Sequence, residues 1–393
     1  MRLGIIGCGN VSLRFHLPAC LEEPKVALVA AADATPARME LFREAAGLDP
    51  RDCATDYRGV LERADVDAVL VATPQAYRPP IVMAALAAGK HVLSEKPLAL
   101  APAEAWAMVR AARGAGLRLG VVHNYYFLPE YATVKRVLES GIIGQPYVVT
   151  LNFMSVEDRP GAGEYRPTWR HDARTSGGGV LMDMLHPVYL AAWLMGEQPR
   201  AVSAAVDRRL DSGETVEDAA LCRFEFASGF ALINMAWGMG PGGVEITGSE
   251  GRLLLFYRGF GTGPFVPPER IYVFKGDRPV PVELDSKPSL GMREVLRDFV
   301  ASVAEGRDPI APGEQGCATL EAVVGAYESA YFERQVALPL EPSDPVYQHG
   351  LAGLSALEPS AGSRVARRGL FKSPVRSDGA EKEVQAAWTG GNS

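Results

Sequence analysis

The residues that can do chemistry fall in a few well-separated places along the 393-residue sequence. Gly7-Cys8-Gly9-Asn10-Val11-Ser12 follows a short apolar run directly and opens an amphipathic stretch. Gly7 permits a tight turn and Gly9 lets the backbone come close to a pyrophosphate. The start of the next helix then offers free amides and a positive dipole end to phosphate. Ser12 stands where this fingerprint has Gly or Ala, and is small enough for the helix–strand contact. Asp33 closes the next apolar run, about 20 residues further on, where a carboxylate accepts hydrogen bonds from the ribose hydroxyls of NAD and repels a 2′-phosphate. Asp33 could equally cap the helix that follows it. Arg38 lies nearby and would tolerate a 2′-phosphate, so NAD is expected and NADP remains possible.

Lys96 stands just past the apolar run 91–94, at what should be the carboxyl end of a parallel strand, where such sheets bind ligands. An ammonium there can stabilise a developing alkoxide without a metal. Pro97 allows a cis Lys96–Pro97 bond, which would fix the direction of the lysine. Asp183 and His186 are three residues apart in a stretch expected to form one helix, 180–194, so both side chains can enter one pocket. Histidine titrates near neutrality and suits proton transfer. Asp183 can bind a neighbouring hydroxyl or tune the histidine and lysine. A capping or packing role is the other reading of this pair. Joined by His123 or His171, the pair could also ligate zinc or iron, but these residues lack compact ligand spacing and no metal is expected.

The elements that must position these groups come in two styles. Residues 1–122 alternate short apolar runs (2–6, 26–32, 67–72, 91–94, 118–122) with helical patterns (11–22, 36–46, 102–115 and one ending at Gly89), the rhythm of an N-terminal Rossmann-type, doubly wound parallel sheet. From 123 to 340 the pattern predicts a C-terminal α+β domain with a large, mostly antiparallel sheet. Helices are expected at 130–140, 180–194, 290–305 and 317–334, strands at 147–153, 201–208, 219–225, 231–237, 243–247 and 253–257, and a long polar loop at 156–179. Residues 341–393 turn to Ser, Gly, Ala and Pro, a composition that predicts disorder. Arg364, Arg367, Arg368, Lys372 and Arg376 there read as a solvated tail or a docking segment for an acidic partner.

A formal net charge of −7, with no basic stripe in the expected folded part, argues against a nucleic-acid partner. No apolar run reaches the length of a bilayer span, and the opening residues lack signal-peptide architecture, so no membrane association is expected. The five cysteines, Cys8, Cys20, Cys53, Cys222 and Cys317, show no C-x-x-C spacing and read as reduced thiols of a cytoplasmic protein.

With the GCGN opening, Thr73-Pro74, Ala88-Gly89-Lys90-His91-Val92 and Ser94-Glu95-Lys96-Pro97-Leu98-Ala99, the chain resembles the Gfo/Idh/MocA oxidoreductases. Gly141-Ile142-Ile143-Gly144, Trp169-Arg170, Ser176-Gly177-Gly178-Gly179 and the Asp183/His186 pair continue the resemblance over about residues 1–335. It implies an NAD(P)-dependent oxidoreductase acting on a CH–OH group of a sugar, inositol or related cyclic polyol, assembled as a homodimer or homotetramer. The implied cofactor contacts are Gly7, Gly9, Asn10, Val11, Asp33, Arg38, Thr73, Pro74, Gln75, Glu95, Lys96, Trp169 and Arg170. The implied substrate contacts are Lys96, Asn124, Tyr125, Tyr126, Arg170, Asp183 and His186, with Lys96, His186 and Asp183 catalytic. The sequence departs from the family at Gln75 and Arg78, where Asn and His are frequent, and at Tyr125, after Asn124, where many members carry arginine. The Asp183-to-His186 spacing is one residue short. Tyr125 and Tyr126 could stack on a ring of the substrate or pack in the core. Two other functions use the same parts: a glycoside-cleaving enzyme that oxidises, eliminates and re-reduces, and a non-catalytic NAD-binding sensor.

Overall fold

A computed structural model describes residues 1–155, 168–209, 216–237, 241–260, 268–284, 289–354 and 357. The chain divides into two compact units. Among the described residues the first contains Met1–His123 and Met292–Cys317; the second contains Asn124–Gly291 and the residues from Ala318 to 357.

The first unit is built on a parallel sheet of β1 (Arg2–Ile6), β2 (Ala27–Ala32), β3 (Cys53–Ala54), β4 (Ala68–Val71), β5 (His91–Ser94) and β6 (Leu119–Val121), in the order β3-β2-β1-β4-β5-β6. Its central strands are apolar on both faces: Leu3, Ile5, Ile6, Val69 and Val71 are fully buried. That is why they read as continuous apolar runs rather than alternating ones. Strand order reverses between β1 and β4, so the carboxyl ends of these two strands form the switch point at which such sheets bind ligands. The segment after β1 is not one α-helix. It starts with a π-helical turn, Ser12–His16, and continues as Leu17–Glu22.

The helix Met292–Glu305 belongs with this first unit, although its place in the sequence lies inside the region expected to form the second domain. Buried Glu23 accepts a hydrogen bond from Arg297 at 3.0 Å, and Phe299 packs where a Cβ on Gly120 would sit. A pattern of apolar residues reports that a helix is amphipathic but not which sheet it covers, so the excursion was not readable from sequence.

The second unit carries a mixed, mostly antiparallel sheet. Its strands are β7 (Pro146–Ser155), β8 (Ala201–Asp207), β9 (Ala219–Glu225), β10 (Phe230–Trp237), β11 (Pro241–Gly248), β12 (Arg252–Phe260), β13 (Pro268–Lys275), β14 (Arg278–Val282) and β15 (Val336–Ala337). They run in the order β14-β13-β12-β11-β7-β10-β9-β8-β15, with β7 and β10 parallel. One face is buried, through Leu151 and Phe153 of β7 and Ile233 and Met235 of β10. The other exposes Leu221, Phe230, Leu232 and Phe256. Alternation along each strand thus separates a core face from an open one.

Two further expectations need correction. The stretch expected as a loop forms short helices at Thr168–His171 and Ala173–Ser176, while 156–167 lies outside the described residues. The expected helix 180–194 is broken into Val180–Asp183 and His186–Met195, with Met184 and Leu185 between them. Among the described residues no single helix is long and apolar enough to cross a membrane; one bent pair passes that test only jointly. The predicted disorder of the tail and its basic residues lie outside the described residues.

Candidate active site

The loop after β1 fits a dinucleotide phosphate. Gly7 has φ +96°, and a Cβ there would come within 2.8–2.9 Å of the Ala72 and Thr73 backbone, so only glycine brings β1 this close to the end of β4. A Cβ on Gly9 would meet only Nη1 of Arg38, at 3.6 Å, which leaves room for a ligand to approach the backbone. Ser12 is fully buried and donates its hydroxyl to the Gly7 carbonyl at 2.5 Å, so the unusual third position of the fingerprint closes the turn by a hydrogen bond. Asp33 does not cap the following helix, whose N-cap is Thr35; it braces the turn before that helix and the glycine loop instead. One carboxylate oxygen accepts the Thr35 amide at 2.8 Å, and the other accepts the Cys8 amide inside the glycine loop at 2.7 Å. A carboxylate offers about four acceptor sites, so capacity remains for ribose hydroxyls. Arg38 lies nearby, and partial burial lowers its pKa despite the opposing charge of Asp33. Asn10 is exposed, Val11 and Pro74 are half-buried, and Thr73 and Gln75 are buried at the end of β4.

Past β5, Glu95 is buried and its carboxylate is shared. Oε1 lies 2.8 Å from Nε2 of His16, and Oε2 accepts the Lys96 amide at 3.1 Å. Burial pushes this carboxyl up, but the bond from His16, helped by the charges of Lys96 and Arg78, more than offsets it and holds it below its ordinary value. The Lys96–Pro97 bond is cis, and buried Arg78 donates to the Pro97 carbonyl. His123, almost wholly buried, is pushed down to about 3 by burial and by the Lys96 charge, with Glu95 opposing, and is therefore neutral. Arg78, where the family often has histidine, is thus a buried prop of this turn.

In the second unit, Glu217 organises the Ser176–Gly179 turn. Fully buried, it accepts the Gly179 amide at 2.9 Å, the Leu181 amide at 3.0 Å and the Tyr327 hydroxyl at 2.7 Å. Burial outweighs these bonds and raises its pKa to about 7. Side chains at Gly178 or Gly179 would collide with Tyr327 or Glu217. This turn launches Val180–Asp183. Because the helix breaks at Met184–Leu185, half-buried Asp183 and buried His186 do not share one continuous helical face, contrary to the sequence reading. The break coincides with the residue missing from the family spacing.

His186 opens the next helix. Its Nδ1 lies 2.8 Å from the Tyr189 hydroxyl, which also accepts the Tyr125 amide at 3.2 Å. The Tyr125 ring stacks on the imidazole at 4.1 Å between centroids and 11° between planes. Tyr126 instead packs against Tyr189 and Trp193, as a core residue does. Asn124 is buried and donates to the Leu290 carbonyl at 3.1 Å. Trp169 is half-buried, and its carbonyl accepts the Thr175 hydroxyl; Arg170 sits beside it in the same short helix. His171 packs at a tilt against Trp237, with ring centroids 5.0 Å apart. His16, Tyr189 and Glu217 were not singled out in the sequence. His16 lies seven residues past Gly9 and Tyr189 three past His186, but nothing in a single sequence marks such partners.

A glycine loop at the β1/β4 switch point, an acid just after β2 and a lysine after β5 define a nicotinamide-dinucleotide-binding oxidoreductase. Comparison with known proteins agrees. The model of the oxidoreductase family with an NAD-binding Rossmann fold matches residues 1–123, and that of the GFO/IDH/MocA C-terminal domain matches residues 131–254. The chain belongs to the Gfo/Idh/MocA oxidoreductase family. It is 29% identical over 316 residues to a dTDP-3,4-didehydro-2,6-dideoxy-alpha-D-glucose 3-reductase of Streptomyces antibioticus, covering 78% of this chain and 89% of the relative. It is 25% identical over 364 residues to an inositol 2-dehydrogenase of Rhizobium meliloti, covering 86% and 99%. Among solved structures it is similar to an aldose-aldose oxidoreductase from Caulobacter crescentus in complex with glycerol. That match has a TM-score of 0.75 at 25% identity and covers 86% of this chain and 99% of that one.

Proposed function

We propose that the chain interconverts a hydroxyl-bearing carbon and the corresponding ketone on a sugar, an inositol or a related cyclic polyol. The family and the substrates named for its relatives support a polyhydroxylated ring as substrate. The observation that supports the catalytic reading is the held imidazole of His186: Nδ1 lies against the Tyr189 hydroxyl and Tyr125 stacks on one ring face, so the direction of the ring is fixed.

Bound NAD supplies the hydride acceptor or, when reduced, the hydride donor. The Gly7–Ser12 loop, Asp33, Arg38, Thr73, Pro74 and Gln75 hold it, with Glu95, Lys96, Trp169 and Arg170 as further proposed contacts. The Lys96 ammonium stabilises negative charge on the reacting oxygen. His186 takes the hydroxyl proton in oxidation and returns it in reduction. Asp183 binds a neighbouring hydroxyl, as do Tyr125 and Arg170. Asn124 and Tyr126, engaged with Leu290 and with the core, support these residues from behind. A spectrophotometric screen of aldoses, inositols and dTDP-sugars with NAD and NADP tests this reading: cofactor reduction or oxidation on at least one ring polyol is expected. Silence across the panel, with NAD still bound, argues for a sensor instead.

The exposed Leu221, Phe230, Leu232 and Phe256 on the open sheet face support a homodimer or homotetramer, which light scattering measures. A cytoplasmic location fits cysteines that are all free of disulfides.

A further inference from the structure

The buried pair that precedes the lysine has a consequence for how the lysine is aimed. Glu95 has one oxygen on His16 and the other on the Lys96 amide. His16 ends the π-helical turn that begins at Ser12, and Ser12 is tied back to Gly7. A continuous path of short hydrogen bonds and backbone therefore runs from the glycine loop through His16 and Glu95 to the backbone of Lys96, all inside the first unit. π-Helical turns often accompany functional sites. Here the turn delivers a histidine, 3% exposed, onto a carboxylate that is 6% exposed.

The chemistry of the pair is determinate. An ionised carboxylate only accepts hydrogen bonds, so Nε2 of His16 must carry a proton. A neutral imidazole protonated at Nε2 satisfies this, and so does the imidazolium. The link therefore persists whichever charge His16 bears. The other charged and titratable groups around Glu95 are Lys96, Arg78 and His123, of which His123 is neutral.

We infer that His16 is a positioning residue for Lys96: acting through Glu95, it ties the direction of the lysine to the loop that holds the dinucleotide. The inference rests on the catalytic reading of Lys96 given above. It extends that reading by making residue 16 a determinant of turnover rather than of substrate binding.

Hydrogen exchange in the protein without cofactor, read on the peptide spanning 91–98, tests the link independently of turnover. In His16→Ala the Lys96 amide should exchange at least tenfold faster than in the wild type. In His16→Gln, whose side-chain NH2 can reach the place of Nε2, it should stay within threefold. Addition of NAD should slow exchange of this peptide in the wild type and in His16→Gln, and not in His16→Ala. With myo-inositol as substrate, kcat of His16→Ala should fall about tenfold at nearly constant KM, with recovery in His16→Gln. Unchanged exchange in His16→Ala, or equal loss in both variants, overturns the inference. Lys96→Ala separates the two readings: if it retains turnover the catalytic assignment fails, whereas if it loses turnover while His16→Ala exchanges like the wild type, only the positioning role fails.

Discussion

The Tyr189 hydroxyl lies 2.8 Å from Nδ1 of His186 and at the same time accepts the Tyr125 amide at 3.2 Å. One phenol thus ties the imidazole to the residue whose ring covers its face. Such a partner fixes the ring orientation, and because a phenol can donate to Nδ1 or accept from it, the bond is compatible with either tautomer.

Tyr189→Phe keeps the packing and removes both bonds. A net hydrogen-bond contribution of roughly 1.4 kcal/mol corresponds to about a tenfold loss in kcat. KM should change little, since the ring remains. Steady-state kinetics check this, and an unaltered kcat would show that His186 is held by its ring contacts alone.

Asp33 bonds the amides of Cys8 and Thr35, so its replacement disturbs the glycine loop as well as the proposed ribose recognition. Asp33→Ala should weaken NAD binding and, with Arg38 left in place, shift the NADP/NAD preference toward NADP by about tenfold or more. Calorimetric titration with both dinucleotides gives the ratio. A proportional loss for both would mean that Asp33 only braces the loop.

Glu130 opens the helix Pro129–Glu139, is 5% exposed, and is raised by burial to about 7. A carboxyl whose folded pKa exceeds its unfolded value favours the native state fully below the unfolded pKa, and that contribution is lost as pH rises through the folded one. Stability should therefore decline between about pH 4.5 and 7 through this group. Glu130→Gln should be more stable relative to wild type at pH 8 than at pH 5, by on the order of 2–3 kcal/mol. Urea melts at the two pH values measure the difference; the same relative stability at both would mean the carboxyl stays ionised and solvated.

Much of the first unit was legible because its signals are local. A glycine turn after an apolar run, an acid closing the next run and a lysine before proline are each specified by a few neighbouring residues. The strands of the second unit were legible where they alternate, as in β9 and β10. What the sequence hid depends on partners distant in the chain. Glu95 reads as part of a motif, yet its state is set by His16, seventy-nine residues earlier. Glu217 reads as one acid among many, yet it caps a turn thirty-eight residues upstream. The break at Met184–Leu185 escaped for a different reason: both residues are good helix formers, so nothing in local propensity announces that Asp183 and His186 sit on separate helices.

The proposal on which the rest depends is that Lys96 and His186 act in the same chemical step. Its most direct test is the turnover of Lys96→Ala, His186→Ala and the double variant on a substrate found by the polyol screen, with NAD affinity measured alongside. Lys96→Ala should lose about a hundredfold or more in kcat, since removing one such donor costs about 3–4 kcal/mol. NAD should still bind, and the double variant should lose far less than the product of the single losses. Near-wild-type turnover in Lys96→Ala, or fully multiplicative losses, would contradict the account.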